Sequence, residues 1–468
     1  MGFLTKVSTL ARGMFGYDAV SSTGRRKSPV MTTRHEDDEL TGVERAGLVN
    51  ASRDITRNFS LAAWAVRRHL DYVSTFTFQA KTLDASGTKA DRKLNKYLEG
   101  WMYRASQPKA YDAAGRHSLA SATRLAEARR TLDGDILEVR LADGRVQWVE
   151  GDRIRDPLGG GDTTRPGDAA RLFHGVQVDE SGAAVAYAVH RRQRRVGMQF
   201  ERWLDARNCY LFGYFDRFDQ VRGISPLAPA LNTLRDTYKG IDYALGKLLV
   251  SQLFALAIYR DKSEDMGQAV EGDETGYQID FGRGPTLLDL EPGDKADFLE
   301  SKSPSTELQS YLQSTIGMSI KALDIPYSFY AENFTNYSGA RQALLQYQMS
   351  ATTKQGNNRA RLDDWTLWRM RLAAIDGELQ LDRDPAELNW DWVPAGMPWI
   401  DPLKEIQAQK EAIAAGLGSR SEFAKARGRS LDEILDELAA EEEAARERGI
   451  TFDKTLTQAQ QLEVVTNG

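Results

Sequence analysis

Between residues 225 and 341 the apolar positions fall into two long, regular stripes. The first opens at Ser225-Pro226. Ser can accept from free backbone N–H groups at a helix start, and Pro tolerates the first helical position. Leu227, Leu231, Leu234, Tyr238, Ile241, Leu245 and Leu248 then recur at alternating intervals of four and three, a heptad stripe. The pattern predicts a helix to about residue 258, roughly 50 Å long at about 1.5 Å per residue. A second start lies at Ser303-Pro304, with Glu307 in the first turn. Its stripe is Leu308, Leu312, Ile316, Ile320 and Leu323, and Pro326 stops it. Between the two helices, residues 259–302 are short strand-like and turn-like sequence. After Pro326 comes an aromatic, Asn-bearing stretch, 327–337. Two helices around a small module suggest a wall and something the wall presents. An ordinary helical hairpin in a globular core fits the same pattern.

The flanks alternate between helical and strand periods. Residues 45–78 read as helix, interrupted at Arg57-Asn58-Phe59-Ser60, and 89–107 and 117–132 read as two more. The period then drops to two, with Ile136, Val139 and Leu141 leading through Asp143-Gly144 to Val146, Trp148 and Val149. That is a hairpin signature. Residues 158–168, with Gly159-Gly160-Gly161, read as flexible linker, and 176–178 with 185–189 as a second hairpin. It runs into His190-Arg191-Arg192-Gln193-Arg194-Arg195. Phosphate contact, a solvated strand edge and a subunit salt-bridge face are all open for that run. Beyond the centre, 340–379 is helical, 385–402 is a Pro/Trp-rich connector, 403–415 is a helix ending at Gly416, and Ser419 or Ser421 restarts a short one. Residues 431–448 form a strongly charged helix. Residues 18–44 and those after 451 read as loosely held.

Composition narrows the class. The chain has 468 residues, 41% hydrophobic and 27% charged, with a formal net charge of −6. That predicts two to four domains at about 150 residues each. One cysteine, Cys209, leaves no internal disulfide and no Cys-based zinc site, and fits a reducing cytoplasm. Residues 1–17 lack the apolar core of a signal peptide. The most apolar run, 248–258, falls well short of the ~20 residues of a membrane span. The acidic balance argues against tight, sequence-independent DNA binding as the main task, though not against a protein that DNA slides past.

No chemistry stands out. The five histidines, His35, His69, His117, His174 and His190, show no metal-ligand spacing. In His35-Glu36-Asp37-Asp38 adjacent side chains do not converge on an ion, and His69 reads as a packed structural histidine. The stretch from Gly240 to Gly246-Lys247-Leu248 has one residue too many for a phosphate loop and sits inside a helical stripe, so it is rejected. No catalytic residue, metal ligand or cofactor is expected.

Several segments nevertheless carry a resemblance. Gly134-Asp135-Ile136-Leu137 with Val146-Gln147-Trp148-Val149-Glu150-Gly151-Asp152-Arg153-Ile154 is one. Gly175-Val176-Gln177-Val178-Asp179, with Gly182 and Val185-Ala186-Tyr187, is the next. Gln220-Val221-Arg222-Gly223-Ile224-Ser225-Pro226-Leu227-Ala228-Pro229 leads into the first long helix, and Asn336-Tyr337-Ser338-Gly339-Ala340-Arg341 follows the second. Ile400-Asp401-Pro402-Leu403-Lys404-Glu405, with Gly416-Leu417 and Glu441, closes the set. Each is weak alone. In this order and spacing, over residues 45–450, the chain resembles the lambda family of tailed-phage portal proteins. Gly339 stands in place of that family's second Ser, and Phe212 stands near an expected His.

The resemblance implies an α+β portal fold with an α/β wing, a long-helix stem, a small α/β clip and a helical crown, assembled as a dodecameric ring. It assigns 1–44 to a flexible arm, 45–224 to the wing, 225–258 and 303–326 to stem helices, and 259–302 to the clip. Residues 327–338 become the tunnel loop, 339–400 the long helix and wing return, 401–450 the crown and 451–468 a loose tail. In the loop, Tyr330, Asn333, Asn336 and Tyr337 would approach DNA. Lys247, Lys321 and Arg341 are candidate lumen charges, and the stripe from Leu227 to Leu248 is a subunit contact. The implied partners are copies of itself, double-stranded DNA read without sequence specificity, terminase, capsid or scaffold, and head-completion proteins, with no membrane. The implied place is the capsid vertex of a virion, after assembly in the host cytoplasm. Two other classes stay open: a DNA-processing enzyme with an unrecognised carboxylate site, and a capsid or tail protein without a DNA channel.

Overall fold

The first helical pattern breaks at Phe59. In the computed structural model, helix α1 (Gly42–Asn58) starts on a capping box. The Thr41 side chain accepts from the Glu44 N–H, and the Glu44 carboxylate accepts from the Thr41 N–H. Phe59 is extended and buried, and α2 (Ser60–Val73) restarts beyond it. The structure describes residues 35, 40–84, 86–157, 171–194, 197–253, 256–260, 294–298, 306–332, 337–397 and 402–450, with only the backbone at 249–253, 256–260, 294–298 and 337. The chain divides into two compact units, Met1–Pro229 with Leu323–Gly468, and Ala230–Ala322.

In the larger unit, α2 ends at Val73 rather than near 78, and Phe76–Ala80 is strand β1. Helices α3 (Arg92–Ala105), α4 (Pro108–Tyr111) and α5 (Leu119–Asp133) follow. The Asp91 and Ser118 side chains cap α3 and α5 by accepting backbone N–H groups. Strands β2 (Asp135–Arg140) and β3 (Val146–Glu150) form the expected hairpin. Then come β4 (Arg171–Phe173), β5 (Val176–Val178), β6 (Ala184–Gln193), β7 (Gly197–Asp205) and β8 (Cys209–Gly213). They make two antiparallel sheets, ordered β3-β2-β8 and β4-β5-β6-β7. The sequence pattern predicts neither β7 nor β8. In β7, Gln199, Glu201 and Arg202 interrupt the apolar positions, because the strand is an edge with half-exposed residues on both faces.

The smaller unit holds α6 (Leu231–Leu253), β9 (Leu256–Arg260), β10 (Asp294–Phe298) and α7 (Thr306–Ile320). Two boundaries change. The first long helix starts at Leu231, after a 3₁₀ turn at Ala228–Ala230, and it does not reach 258, because Leu256–Arg260 pairs antiparallel with β10. A short apolar run satisfies either period, and only the pairing partner decides. The second helix ends at Ile320 and passes through a 3₁₀ turn at Lys321–Leu323 before Pro326 is reached. Ser303, Pro304 and most of 259–302 lie outside the described residues.

The remainder of the larger unit is α8 (Tyr327–Ala331), α9 (Tyr337–Ile375), β11 (Trp390–Pro394), α10 (Pro402–Ala414), α11 (Arg420–Ala426) and α12 (Leu431–Glu447). The expected connector at 385–402 therefore contains a strand. It pairs antiparallel with β1, setting Phe78 opposite Trp392 with ring centroids 5.2 Å apart. One core gathers Trp101, Tyr111, Trp365 and Trp392 around α3, α9 and this two-stranded sheet. A second packs Leu137, Val149, Val176, Tyr187 and Val189 between the two larger sheets.

Candidate functional site

Arg45 and the Arg222-Gly223 turn, from two stretches far apart in the chain, converge on the Asp135 carboxylate, which is fully buried at the start of β2. Arg222 grips it as a fork, Nε to Oδ2 at 2.7 Å and Nη2 to Oδ1 at 2.8 Å. Arg45 from α1 donates to Oδ2 at 3.0 Å, and the Gly223 N–H at 2.9 Å. The remaining Arg222 N–H groups donate to the carbonyls of Gly151, Ile154 and His174 at 2.8, 2.9 and 2.6 Å. All five guanidinium donors are thereby used. Gln220 braces the turn by donating to the Arg222 carbonyl, and Ser225 donates to the Thr131 carbonyl. The Ser225 hydroxyl also accepts the Leu227 N–H at 3.1 Å, so it caps the turn that leads into the long helix, which itself begins at Leu231, and ties that turn to α5. Gly134 follows α5 at φ 94°, and a Cβ there would sit 2.4 Å from the Gly223 carbonyl oxygen. Only glycine permits that approach. Burial alone would raise the Asp135 carboxyl, but Arg222 and Arg45 outweigh it and hold it below the ordinary carboxylate range.

The segments 134–137, 146–154, 174–175 and 220–226 are therefore parts of one buried constellation, which fixes where the chain leaves the sheets for α6. A second ionic layer lies beside it. Arg53 donates to both oxygens of Asp133, and Arg192 pairs with Glu150 and Asp152. Arg191 lies 3.7 Å from Glu201. Within the basic run, these arginines are engaged by the protein's own carboxylates.

A third layer ties α9 to the body. Glu127 accepts from Nε2 of His69 at 2.9 Å, from the Tyr214 hydroxyl at 3.0 Å and from Asn358 at 2.9 Å. Burial opposes its ionisation, yet Arg130 and these donors hold Glu127 at about 2. Burial pushes His69 down, so it is a neutral imidazole donating its Nε2–H as a hydrogen bond to the Glu127 carboxylate. The Arg130 guanidinium lies 4.1 Å from the Phe212 ring centre and 4.0 Å from that of Tyr214. Phe212 thus serves as an aromatic platform for a buried cation. Further along α9, Arg361 donates to Glu138 at 2.7 Å and Thr123 at 2.8 Å.

The α9 end nearest the predicted loop has its own anchors. Asp324, at φ 61°, accepts from Ser350 at 2.6 Å and Lys354 at 2.8 Å. Pro326 precedes α8, so residues 327–331 are helical rather than loop, and Glu332 ends the turn at φ 52°. The Phe329 ring packs against Tyr72 and Tyr347 at 6.2 and 5.5 Å, and Tyr330 meets Trp64 edge-on at 6.0 Å. The loop expected at 327–338 is therefore shortened from both sides by α8 and α9. Asn333 and Asn336 lie outside the described residues, as does the Tyr337 side chain, while Tyr330 remains partly exposed. The sequence pattern does not predict the aromatic support from Trp64, Tyr72 and Phe329. Its available signal is the eight-residue spacing of Trp64 and Tyr72, which puts both on one side of α2.

The other candidates separate. Lys247 and Lys321 are exposed, whereas Arg341 pairs with Glu405 at 3.1 Å. On the long stripe, Leu227, Leu231 and Leu234 are buried, but Tyr238, Ile241 and Leu245 are 46, 42 and 53% exposed. Leu248 is intermediate. A Cβ at Gly240 would meet the Leu312 methyl at 3.7 Å, and one at Gly246 would meet nothing within 4 Å. Among the described residues, no group of three or more His, Cys, Asp and Glu could hold a metal, and no helix is long and apolar enough to cross a membrane.

Comparison with known proteins agrees with the motifs. A family model described as "Phage portal protein, lambda family" matches residues 23–355. A curated relative, the "Probable portal protein" of Halomonas phage phiHAP-1, is 23% identical over 409 residues, 80% of this chain and 75% of its own. Among solved structures, "Neck of empty GTA particle computed with C6 symmetry" is similar at TM-score 0.49 and 16% identity, covering 87% of this chain and 96% of that one. "Virion of native gene transfer agent (GTA) particle" is similar at TM-score 0.49 and 15% identity, covering 91% and 99%.

Proposed function

The chain belongs to the lambda family of phage portal proteins, and we propose that it forms the dodecameric ring at one capsid vertex through which double-stranded DNA is packaged and ejected. In this reading Ala230–Ala322 supplies the stem and clip, the two larger sheets with α1 to α5 the wing, and α10 to α12 the crown. The clip faces terminase during packaging and head-completion proteins afterwards. ATP hydrolysis belongs to the terminase, and the chain itself is a non-enzymatic conduit within the virion.

The observation that carries the ring is the open half of the α6 stripe. Tyr238, Ile241 and Leu245 keep the heptad spacing while about half exposed. Identical head-to-tail contacts between copies close into rings, and a repeating stripe on a long helix suits such a contact. Covering the exposed half of each side chain contributes about 1 kcal/mol, repeated at every interface.

A translocation channel must not grip DNA, since each neutralised phosphate adds salt-dependent affinity. From 322 to 340 the chain carries Asp324 and Glu332 and no Lys or Arg. The aromatic anchor of Phe329 and Tyr330 on Trp64 and Tyr72 holds the described start of this segment without adding positive charge, and Asn333 and Asn336 are the proposed DNA-facing residues beyond it. Lys247 and Lys321 stay candidates for lumen charges. Arg341, engaged with Glu405, fits a tie between α9 and α10 better.

Electron microscopy of the purified protein should show rings with a central hole, and a Leu245→Asp variant should stay folded but fail to form them. A monodisperse monomer under assembly conditions would sink the ring. Cross-links from packaged DNA to residues 327–338 are expected. Rings without such cross-links would favour a head or tail protein without a DNA channel.

A further inference from the structure

A cavity of about 680 Å³ lies among α5, the β2–β3 hairpin and the turn after α4. Its apolar lining includes the buried Ile136, the partly buried Trp148 and, at the open edge, the exposed Leu125, and its rim carries Arg116, His117, Arg129 and Arg153. The two carboxylates in the lining are already engaged. Asp112 accepts the backbone N–H groups of Ala114, Arg116 and His117 at 3.3, 2.8 and 3.1 Å. Glu150 accepts from Arg53 at 3.2 Å and Arg192 at 2.7 Å. On the cationic side, Arg153 holds Glu201 at 3.2 Å. The Arg116 and Arg129 side chains make no hydrogen bond or ion pair among the described residues. Arg129 senses Asp133 electrostatically, but both oxygens of that carboxylate are taken by Arg53. The cavity therefore presents positive charge around an apolar lining.

The chain also carries a helix of complementary character. From Leu431 to Glu447, α12 bears eight carboxylates and one arginine. Leu431, Leu435, Leu438 and Glu442 fall on one face at helical spacing, with Asp432 and Glu443 on one flank and Glu441 on the other. Leu435 and Leu438 are about half exposed, and within the chain α12 packs on the short helix α11. A helix of this length is marginal on its own, and tertiary packing of an apolar face is what ordinarily holds it.

We propose that this cavity receives the acidic helix α12 of a second copy of the chain. Leu435 and Leu438 would meet the apolar lining, and the flanking carboxylates would meet Arg116 and Arg129. The occupant is chosen by charge complementarity, and the inference rests on the ring reading above. A helix on one copy and its receptor cavity elsewhere on the next make a heterologous contact, the kind that closes into a ring. Because both partners carry their charge at a partly exposed rim, the contact weakens with salt.

Native mass spectrometry of the full-length protein across a dilution series tests this. The R116E/R129E variant should raise the concentration at which rings half-dissociate by about tenfold or more, and E441R/E443R should do the same. Combining all four changes should return the midpoint to within about threefold of the unaltered protein, because the reversed pairs again attract. Thermal melting of each variant monitors the fold, which these side chains do not support. Unaltered rings in R116E/R129E, or loss in both pairs without recovery in the combined variant, overturn the docking and leave the ring standing. Rings unchanged in R116E/R129E while a separate acidic partner loses binding would transfer the cavity to that partner and likewise overturn it. Absence of rings in the unaltered protein removes the ring reading itself, and this contact with it.

Discussion

The sheets around Asp135 and the helix pair α6 and α7 are finished in opposite ways. Around Asp135, Glu127 and Glu138, charge is enclosed and answered within one chain by Arg222, Arg45, Arg130 and Arg361. Along α6 and α7, apolar groups such as Tyr238, Leu245, Tyr311 and Met318 stay open. Directional ion pairs specify geometry even where they add little net stability, because a misplaced charge in low dielectric is costly. An aliphatic stripe specifies little geometry and becomes stabilising only when covered. The first region is suited to a rigid frame, and the second would be stabilised by whatever covers it.

The largest way to break this comparison is to open the frame. Arg222→Met removes five donors and leaves Asp135 with Arg45 as its charge partner. Breaking a buried pair from one side costs about 3–5 kcal/mol, against a typical domain stability of about 5–15 kcal/mol. Urea denaturation followed by tryptophan fluorescence should show a lower midpoint or outright failure to fold. A loss within experimental error would mean that the knot is ornamental.

Acid offers a graded version. The Glu127 carboxyl sits at about 2 in the folded chain and near the ordinary 4.5 when unfolded. Its contribution is complete above pH 4.5 and is lost as pH falls toward 2, on the order of 3 kcal/mol in all. His69 acts in the same direction. Burial depresses it below 6.5, so the unfolded chain binds the proton first and stability begins to fall as pH drops below that value. Thermal melting between about pH 7 and about pH 3 should show progressive destabilisation, and Glu127→Gln should flatten the lower part of the profile. An unchanged slope in that variant would assign acid lability to other carboxylates.

The parts of this comparison are unequally legible in the sequence. The Asp143-Gly144 turn and the break at Phe59 are local signals and stand where expected, whereas helix spacing places the helices but not their ends, since α2 stops at Val73 and α6 runs only from Leu231 to Leu253. The β1–β11 pair joins residues about 310 apart in the chain, and nothing near Phe76 identifies Trp390–Pro394 as its partner. The knot escapes for another reason. Asp135 and Arg222 are visible inside motif segments, but a search for apolar periodicity treats a charged residue as solvent-facing, and here both are fully buried. The same blindness hides the inner face of α9, where Asn358 and Arg361 occupy core positions. The expected loop is too long because Tyr327–Ala331 looks like aromatic loop sequence until Tyr72 and Tyr347 are seen to receive Phe329.

The smallest expected effect sharpens the comparison most, because its sign carries the answer. Gly246 lies in α6, and a Cβ added there would have nothing within 4 Å. In an isolated chain, Gly246→Ala should stabilise the helix by about 1 kcal/mol, the ordinary difference between the two residues. If another copy crosses α6 there, the same methyl meets its backbone or side chains and opposes assembly. The prediction is therefore a divergence: a slightly higher melting temperature for the dilute monomer together with a higher concentration for half-dissociation of the ring. Gly240→Ala is the internal control, since its Cβ would meet the Leu312 methyl at 3.7 Å, ordinary van der Waals contact within the chain. Stabilisation of both monomer and ring by Gly246→Ala would show that no copy approaches α6 at that turn, and would move the subunit contact up the stripe to Tyr238 and Ile241.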